Sequence, residues 1–321
     1  MRRTRIIEWL TAMAALLALL PPALAAAPTV HPVTARLVAE TTSVAPGQTL
    51  WVDLHLEIAR GWHTYWKNPG DSGIPTEIAW QLPAGFAAGE PLWPAPERFV
   101  LGTIGNYGYA GSGDLLVPIK APSDLQPGTQ THLGADATWL VCSEICVPGE
   151  AHLALDLPVA AAAPAPDPES TALFAAVRGR LPQPAPFAAS FTAADNALRL
   201  RIPATALTGI SRPAAAFFPA AGNLVDAAAD PRQASDPDGL VLSLPRLKGA
   251  ASTAPETLPE KLDGTLVLHG AGGVERVYAI AAPQGVAAAT ADGATVPWWQ
   301  ALLLALIGGV VLNLMPCVFP I

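Results

Sequence analysis

The run Thr49–Ile58, TLWVDLHLEI, alternates apolar and polar residues with a period of two. Leu50, Val52, Leu54, Leu56 and Ile58 fall on one face, and Trp51, Asp53, His55 and Glu57 on the other. That spacing suits a half-buried strand and not a helix of 3.6 residues per turn. Pro46-Gly47 marks a turn between this strand and one beginning at Val33. TEIAWQLPAGF and GDLLVPIKAP read as further short strands, and THLGADATWLVCSEICVPGEAHLALDLPV reads as strand, cysteine turn, strand. Between them, Asn68-Pro69-Gly70-Asp71-Ser72-Gly73 reads as a long turn. Short strands at close spacing, separated by Gly/Pro turns, predict an all-β sandwich over residues 29–159.

Residues 160–170, AAAAPAPDPES, form a Pro/Ala linker. A short helix follows in STALFAAVRGRL, with Ser170 placed to cap it and Pro182 to stop it. FTAADNALRLRIP, AAAFFPA, GLVLSLPRL, GTLVLHG and ERVYAIAAP then repeat the short-strand pattern. We therefore expect a second β-sandwich over 171–284, followed by a linker at 285–296.

The two ends differ from everything between them. MRRTRIIEWLTAMAALLALLPPALA has three Arg, an apolar run and a small-residue Ala23-Leu24-Ala25, the pattern of a secretory signal peptide over 1–25. Trp298–Ile321 is 24 residues without a charge. That is long enough to cross a bilayer, and Trp298 and Trp299 sit where amphipathic rings favour the interface. The run stops at Pro316-Cys317-Val318-Phe319-Pro320 with no polar tail, so 297–321 is expected to be a truncated first transmembrane helix of a larger protein. An exported chain is one in which disulfides persist.

Net charge is −8, and the leader carries three Arg and one Glu, so the remainder is near −10. Nucleic acid, which requires clustered Lys and Arg, is excluded as a partner.

Cys142 and Cys146, three residues apart, admit three readings. On one straight strand their separation would be about 13 Å, so a disulfide requires Ser143-Glu144-Ile145 to fold back on itself. Such a small loop removes little unfolded-state entropy, on the order of 2 kcal/mol, which makes it a poor staple. Two thiolates suit Cu(I) or Zn(II), but a structural zinc needs two more ligands, and His132 and His152 are lone histidines on strands. A short, accessible disulfide loop is also the setting of a labile redox pair. Cys317, between two prolines in a membrane segment, is an unusual choice for lipid packing and suggests a second thiol site.

NLMPCVFPI, GWHTYWKNPGDSG and WLVCSEICVPGE resemble the DsbD-type thiol:disulfide interchange proteins, especially their ScsB (suppressor of copper sensitivity) branch. The resemblance runs from about Pro32 to Pro158 and again from Trp298 to Ile321. It implies an immunoglobulin-like N-terminal redox domain, and the repeated strand pattern extends that expectation to two immunoglobulin-like sandwiches in tandem. It implies a protein-disulfide reductase of the inner membrane, with most of this region in the periplasm and links to cytochrome c-type biogenesis or copper tolerance. Electrons would pass from cytoplasmic thioredoxin, through the remaining membrane domain of the same protein, to periplasmic thioredoxin-like or disulfide isomerase proteins, with no cofactor or metal. By position, Cys142 and Cys146 match the redox pair and Cys317 one membrane cysteine. Tyr107 and Tyr109, in a loop at Gly102–Gly111, match an aromatic cap. Trp62, His63, Tyr65, Trp66, Asn68, Asp71 and Ser72 are candidates for the exchange cleft. The competing reading is a periplasmic copper- or zinc-binding module.

Overall fold

A computed structural model describes residues 31–194, 196–247 and 258–285. The expected leader, the apolar C-terminal run and Cys317 lie outside these residues. Among the described residues no helix is long and apolar enough to cross a membrane.

The first half contains β1 (Val33–Ala39), β2 (Thr49–Ile58), β3 (His63–Gly70), β4 (Glu77–Gln81), β5 (Ala87–Ala88), β6 (Glu97–Leu101), β7 (Ile104–Ala110), β8 (Ser112–Lys120), β9 (Gln130–Cys142) and β10 (Cys146–Pro158). They form one sheet in the order β1-β2-β8-β5 and another in the order β10-β9-β3-β7-β6, with β4 also paired to β9. The alternation read from the sequence sets the register. Leu50, Val52 and Leu54 of β2 stand opposite Ile119, Val117 and Leu115 of β8, and all six are nearly or fully buried. Leu133, Ala135, Ala137, Trp139 and Val141 of β9 supply the facing layer. Each fully buried Leu, Ile or Val contributes on the order of 1.5–3 kcal/mol, so this ladder is the main reason the two sheets stay closed.

Residues 160–170 do not hang free. Ala160 N donates to Val44 O, Thr42 N to Ala165 O and Asp167 N to Glu40 O, at 2.8, 3.2 and 2.9 Å. Helix α1 (Thr171–Gly179) then packs Phe174 and Val177 on Leu116, Val38 and Trp51, on the outer face of the first sheet. Arg178 pairs with both carboxylate oxygens of Glu40 and lies over the Trp51 and Phe174 rings. Ser170 occupies the N-cap position but makes no side-chain cap; its hydroxyl donates to Asp167 O. The helix covers Trp51 of β2's second face and the two cross-strand neighbours of Asp53, Val38 and Leu116. Asp53, expected on the polar side, is fully buried.

The second half holds β11 (Gln183–Pro184), β12 (Ser190–Ala194), β13 (Ala197–Pro203), β14 (Ala214–Pro219), β15 (Arg232–Asp236), β16 (Gly239–Pro245), β17 (Lys261–His269) and β18 (Glu275–Pro283). Two four-stranded sheets result, β11-β18-β17-β14 and β12-β13-β16-β15. Leu198, Leu200 and Ile202 face Leu244, Leu242 and Leu240 across β13 and β16. With Phe191, Leu262, Leu266 and Leu268 they form a core separate from those of the first half. Where the halves meet, Trp66 and Tyr107 from the first pack edge-on against Phe218 from the second, at centroid distances of 6.4 and 5.3 Å.

Candidate functional site

The β9–β10 hairpin places the two cysteines. Thirteen residue pairs run in unbroken register from Gln130↔Pro158 to Cys142↔Cys146. Ser143, Glu144 and Ile145 therefore have to close the end of the ladder, and Ser143 N donates to Ile145 O at 3.0 Å. The two sulfurs are bonded to each other. The fold-back that a disulfide at this spacing requires is thus supplied by an ordinary hairpin. The two sulfurs do not share one environment. Cys142 is 2 % exposed, whereas Cys146 opens to solvent.

Around them lies a cleft of about 820 Å³ lined by Trp62, His63, Tyr65, Phe99, Leu101, Ile104 and both cysteines, among others. His63 is the cross-strand partner of Cys142. Its ring stacks on Phe99 at 4.5 Å and meets Tyr65 edge-on at 5.4 Å. Burial holds its imidazole below the usual histidine range, because a charged ring would lose water without gaining a partner. The Tyr65 hydroxyl donates to Cys142 Sγ at 2.8 Å and lies 3.8 Å from Cys146 Sγ. Burial likewise raises the Tyr65 phenol, so it remains a donor at neutral pH. Exposed apolar side chains stand at its edge, Val100, Leu101 and Ile104 on the β6–β7 hairpin, beside the exposed charges of Arg60 and Glu144; Ile145 is exposed at the tip of the cysteine hairpin.

Several expected residues fall elsewhere. Residues 104–110 are strand β7 and not a cap loop. Tyr107 and Tyr109 are buried within the molecule at 4 % and 2 % exposure and do not line the cleft; Tyr109 donates to Pro94 O at 2.9 Å. They stand two apart on one strand and share its inner face. The aromatic that touches the disulfide is Tyr65, and Phe99 of β6 lines the same cleft, stacked on His63. Trp66 is fully buried between the halves. Asn68 donates to Pro219 O and Ala221 O of the second half. Of that cluster Trp62, His63, Tyr65 and Ser72 line the cleft.

The NPGDSG stretch has a different role from the turn expected of it. β3 continues to Gly70 through a register break after Tyr65. Asp71 then accepts from Gly105 N at 2.7 Å, and Asn106 Oδ1 accepts from Ser72 N and Oγ. These bonds pin the hairpin that carries Phe99, Leu101 and Ile104. On its other side, Arg98 donates to the carbonyls of Ala227, Ala228 and Ala229 and to Asp230.

Residues 33–158 match the family model described as Thiol:disulfide interchange protein DsbD, N-terminal. The chain carries a DsbD N-terminal domain, of the DsbD/ScsB thiol:disulfide interchange type. The first sandwich is accordingly the immunoglobulin-like fold of that domain, and the family assigns it a general thiol–disulfide oxidoreductase role. A crystal structure of the N-terminal periplasmic domain of ScsB from Proteus mirabilis is similar in fold, at 20% identity and a TM-score of 0.58. That likeness covers 81% of this chain and 96% of that one, and so runs beyond the DsbD-type domain. The reduced DsbD N-terminal domain of Neisseria meningitidis matches at 17% identity over 47% of this chain and 98% of that one, with a TM-score of 0.25. No curated protein matches the chain.

The hydroxyl on Cys142 gives a first prediction for the DsbD-type site. A hydrogen bond to a charged group contributes about 1.5–3 kcal/mol. In the reduced protein the Tyr65 hydroxyl would stabilise a Cys142 thiolate and so favour the dithiol state. Tyr65→Phe should therefore make the pair more reducing, by about 30 mV for each 1.4 kcal/mol lost. Equilibration in thiol buffers followed by alkylation measures this. An unchanged potential would mean that the hydroxyl does not act on the thiolate.

Proposed function

We propose that this chain is the periplasmic part of a membrane thiol:disulfide reductase, passing electrons from a membrane domain to oxidised thioredoxin-like proteins. The observation that carries this reading is the unequal exposure of the two sulfurs in a cleft edged by exposed apolar side chains. The exposed Cys146 thiolate attacks a partner disulfide, forming a mixed disulfide and releasing one partner thiolate. Cys142 then attacks Cys146 Sγ, re-forming the Cys142–Cys146 bond and releasing the second partner thiol. Two electrons leave the chain, and the partner's disulfide becomes a dithiol. Val100, Leu101, Ile104 and Ile145 supply the apolar surface on which a partner docks, as desolvated contacts around a central pocket do at interfaces generally.

In the same reading, residues 1–25 are a leader, 29–159 the redox domain, 160–170 and 285–296 linkers, and 171–284 a second sandwich. Residues 297–321 begin the membrane domain, and Cys317 is one of the thiols that re-reduce the pair. Inner-membrane anchoring with this region in the periplasm is supported by the leader-like terminus and by the likeness to a periplasmic ScsB domain. Downstream, cytochrome c-type biogenesis or copper tolerance belongs to the same proposal.

The test is the reduction potential of Cys142–Cys146. A value well above about −300 mV marks an exchangeable bond and supports the relay. A value below it marks a structural bridge and overturns the proposal.

A further inference from the structure

Away from the cleft, the outer face of the first sheet holds a polar cluster that the redox chemistry does not use. Asp53 and His55 are two apart on β2, on one face, and Asp114 of β8 stands directly opposite His55. One donor atom from each lies within 4.8 Å of the others. Asp114 is partnered: His55 Nδ1 lies 2.7 Å from one oxygen, and Ser112 Oγ donates to the other at 3.3 Å. Asp53 is fully buried, and neither carboxylate oxygen has a hydrogen-bond partner; its Oδ2 lies 3.9 Å from the same His55 Nδ1. His55, with its side chain 15% exposed, is the accessible edge of the cluster.

A buried carboxylate beside a second one requires a compensating positive charge. Arg36 of β1, opposite His55, acts on Asp53 only through space and does not offset its burial. A bound cation would supply that charge. Two carboxylate oxygens and one imidazole nitrogen suit a borderline divalent ion with one position left for water; the hard ions Ca²⁺ and Mg²⁺ prefer all-oxygen shells. We infer that Asp53, His55 and Asp114 form a binding site for a borderline divalent cation of the Zn²⁺ class, independent of the cysteine pair.

The test is calorimetric titration of the full chain with Zn²⁺. The disulfide is kept formed, so that no thiol can contribute. We expect one saturable equivalent. Asp53→Asn and His55→Ala should each weaken binding by at least about tenfold, with far-UV circular dichroism unchanged. Asp114→Asn serves in place of any variant that fails to fold. Three exposed pairs, His132–Asp156, His152–Asp136 and His269–Glu275, are competing zinc ligands, so the His132→Ala/His152→Ala/His269→Ala triple variant must keep the equivalent. Absence of saturable uptake overturns the inference. So does uptake that survives Asp53→Asn, or that disappears with the triple variant. None of these results depends on whether Cys142–Cys146 proves exchangeable.

Discussion

Cys146→Ala should abolish disulfide exchange outright, while Cys142→Ala should leave a protein that reacts once and stops. The difference follows from where the sulfurs sit. Cys146 is exposed at the mouth of the cleft, and a thiolate attacks in line with the disulfide it breaks, so access decides the nucleophile. Cys142, at 2 % exposure and hydrogen-bonded to Tyr65, cannot reach a sulfur on another protein without opening its surroundings. With Cys142 gone, Cys146 still attacks, but nothing resolves the mixed disulfide. Non-reducing gels of each reduced variant mixed with an oxidised thioredoxin-like protein distinguish the two: a trapped adduct for Cys142→Ala and none for Cys146→Ala. An adduct with the opposite variant would reverse the roles. Adducts with neither would remove the exchange chemistry from this pair. Both variants should keep their fold, because the surrounding ladders do not need the bond to hold register.

The second large effect is expected at Gly73, where the chain leaves the NPGDSG turn with φ +101°. A methyl group there would sit 2.2 Å from Tyr65 Cε1. Gly73→Ala therefore incurs two costs. Backbone in a region that L-residues rarely adopt costs on the order of 1–3 kcal/mol, and overpacking against a buried ring costs about 1–3 kcal/mol. The ring must move, because the turn is tied down on its far side through Asp71 and Ser72. We expect the thermal midpoint to drop by on the order of 10 °C. The potential should also shift in the direction of Tyr65→Phe, since the displaced hydroxyl loses Cys142. A variant with wild-type stability and potential would show that the turn yields without cost and that Tyr65 is not held by it.

Much of the first sandwich was legible because β2, β9 and β10 carry strict two-residue patterns, and a long hairpin leaves little freedom in how its end closes. The cysteine turn followed from that alone. What escaped the sequence depends on contacts between distant segments. Asp53 sits on the polar side of its strand, and its cross-strand neighbours Val38 and Leu116 are covered by a helix more than a hundred residues later. Asn68 was readable as polar and near the site, but its acceptors, Pro219 and Ala221, have no local signature. Tyr107 and Tyr109 drew attention as aromatics, yet their i, i+2 spacing placed both on one strand face and turned them inward. The signal for the opposite wall was present in Phe99-Val100-Leu101-Gly102: an apolar run ending in a glycine turn, too exposed to be core. The leader, the membrane run and Cys317 remain expectations of the sequence.

Arg98 and Gly105 bear on where this protein can be cut. The segment that matches the DsbD model ends at residue 158, but the wall of its cleft does not. Arg98 finds its acceptors at residues 227–230, and Gly105 lies so close to Ala227 that even a β-carbon would collide with its carbonyl. A fragment cropped at 158 would turn Trp66 and Tyr107 from interior to surface and leave the arginine without its anchors. Genetic variation should follow the same geometry. Substitutions in residues 217–230, more than seventy positions from either cysteine, are expected to appear as redox phenotypes in any selection for disulfide reduction.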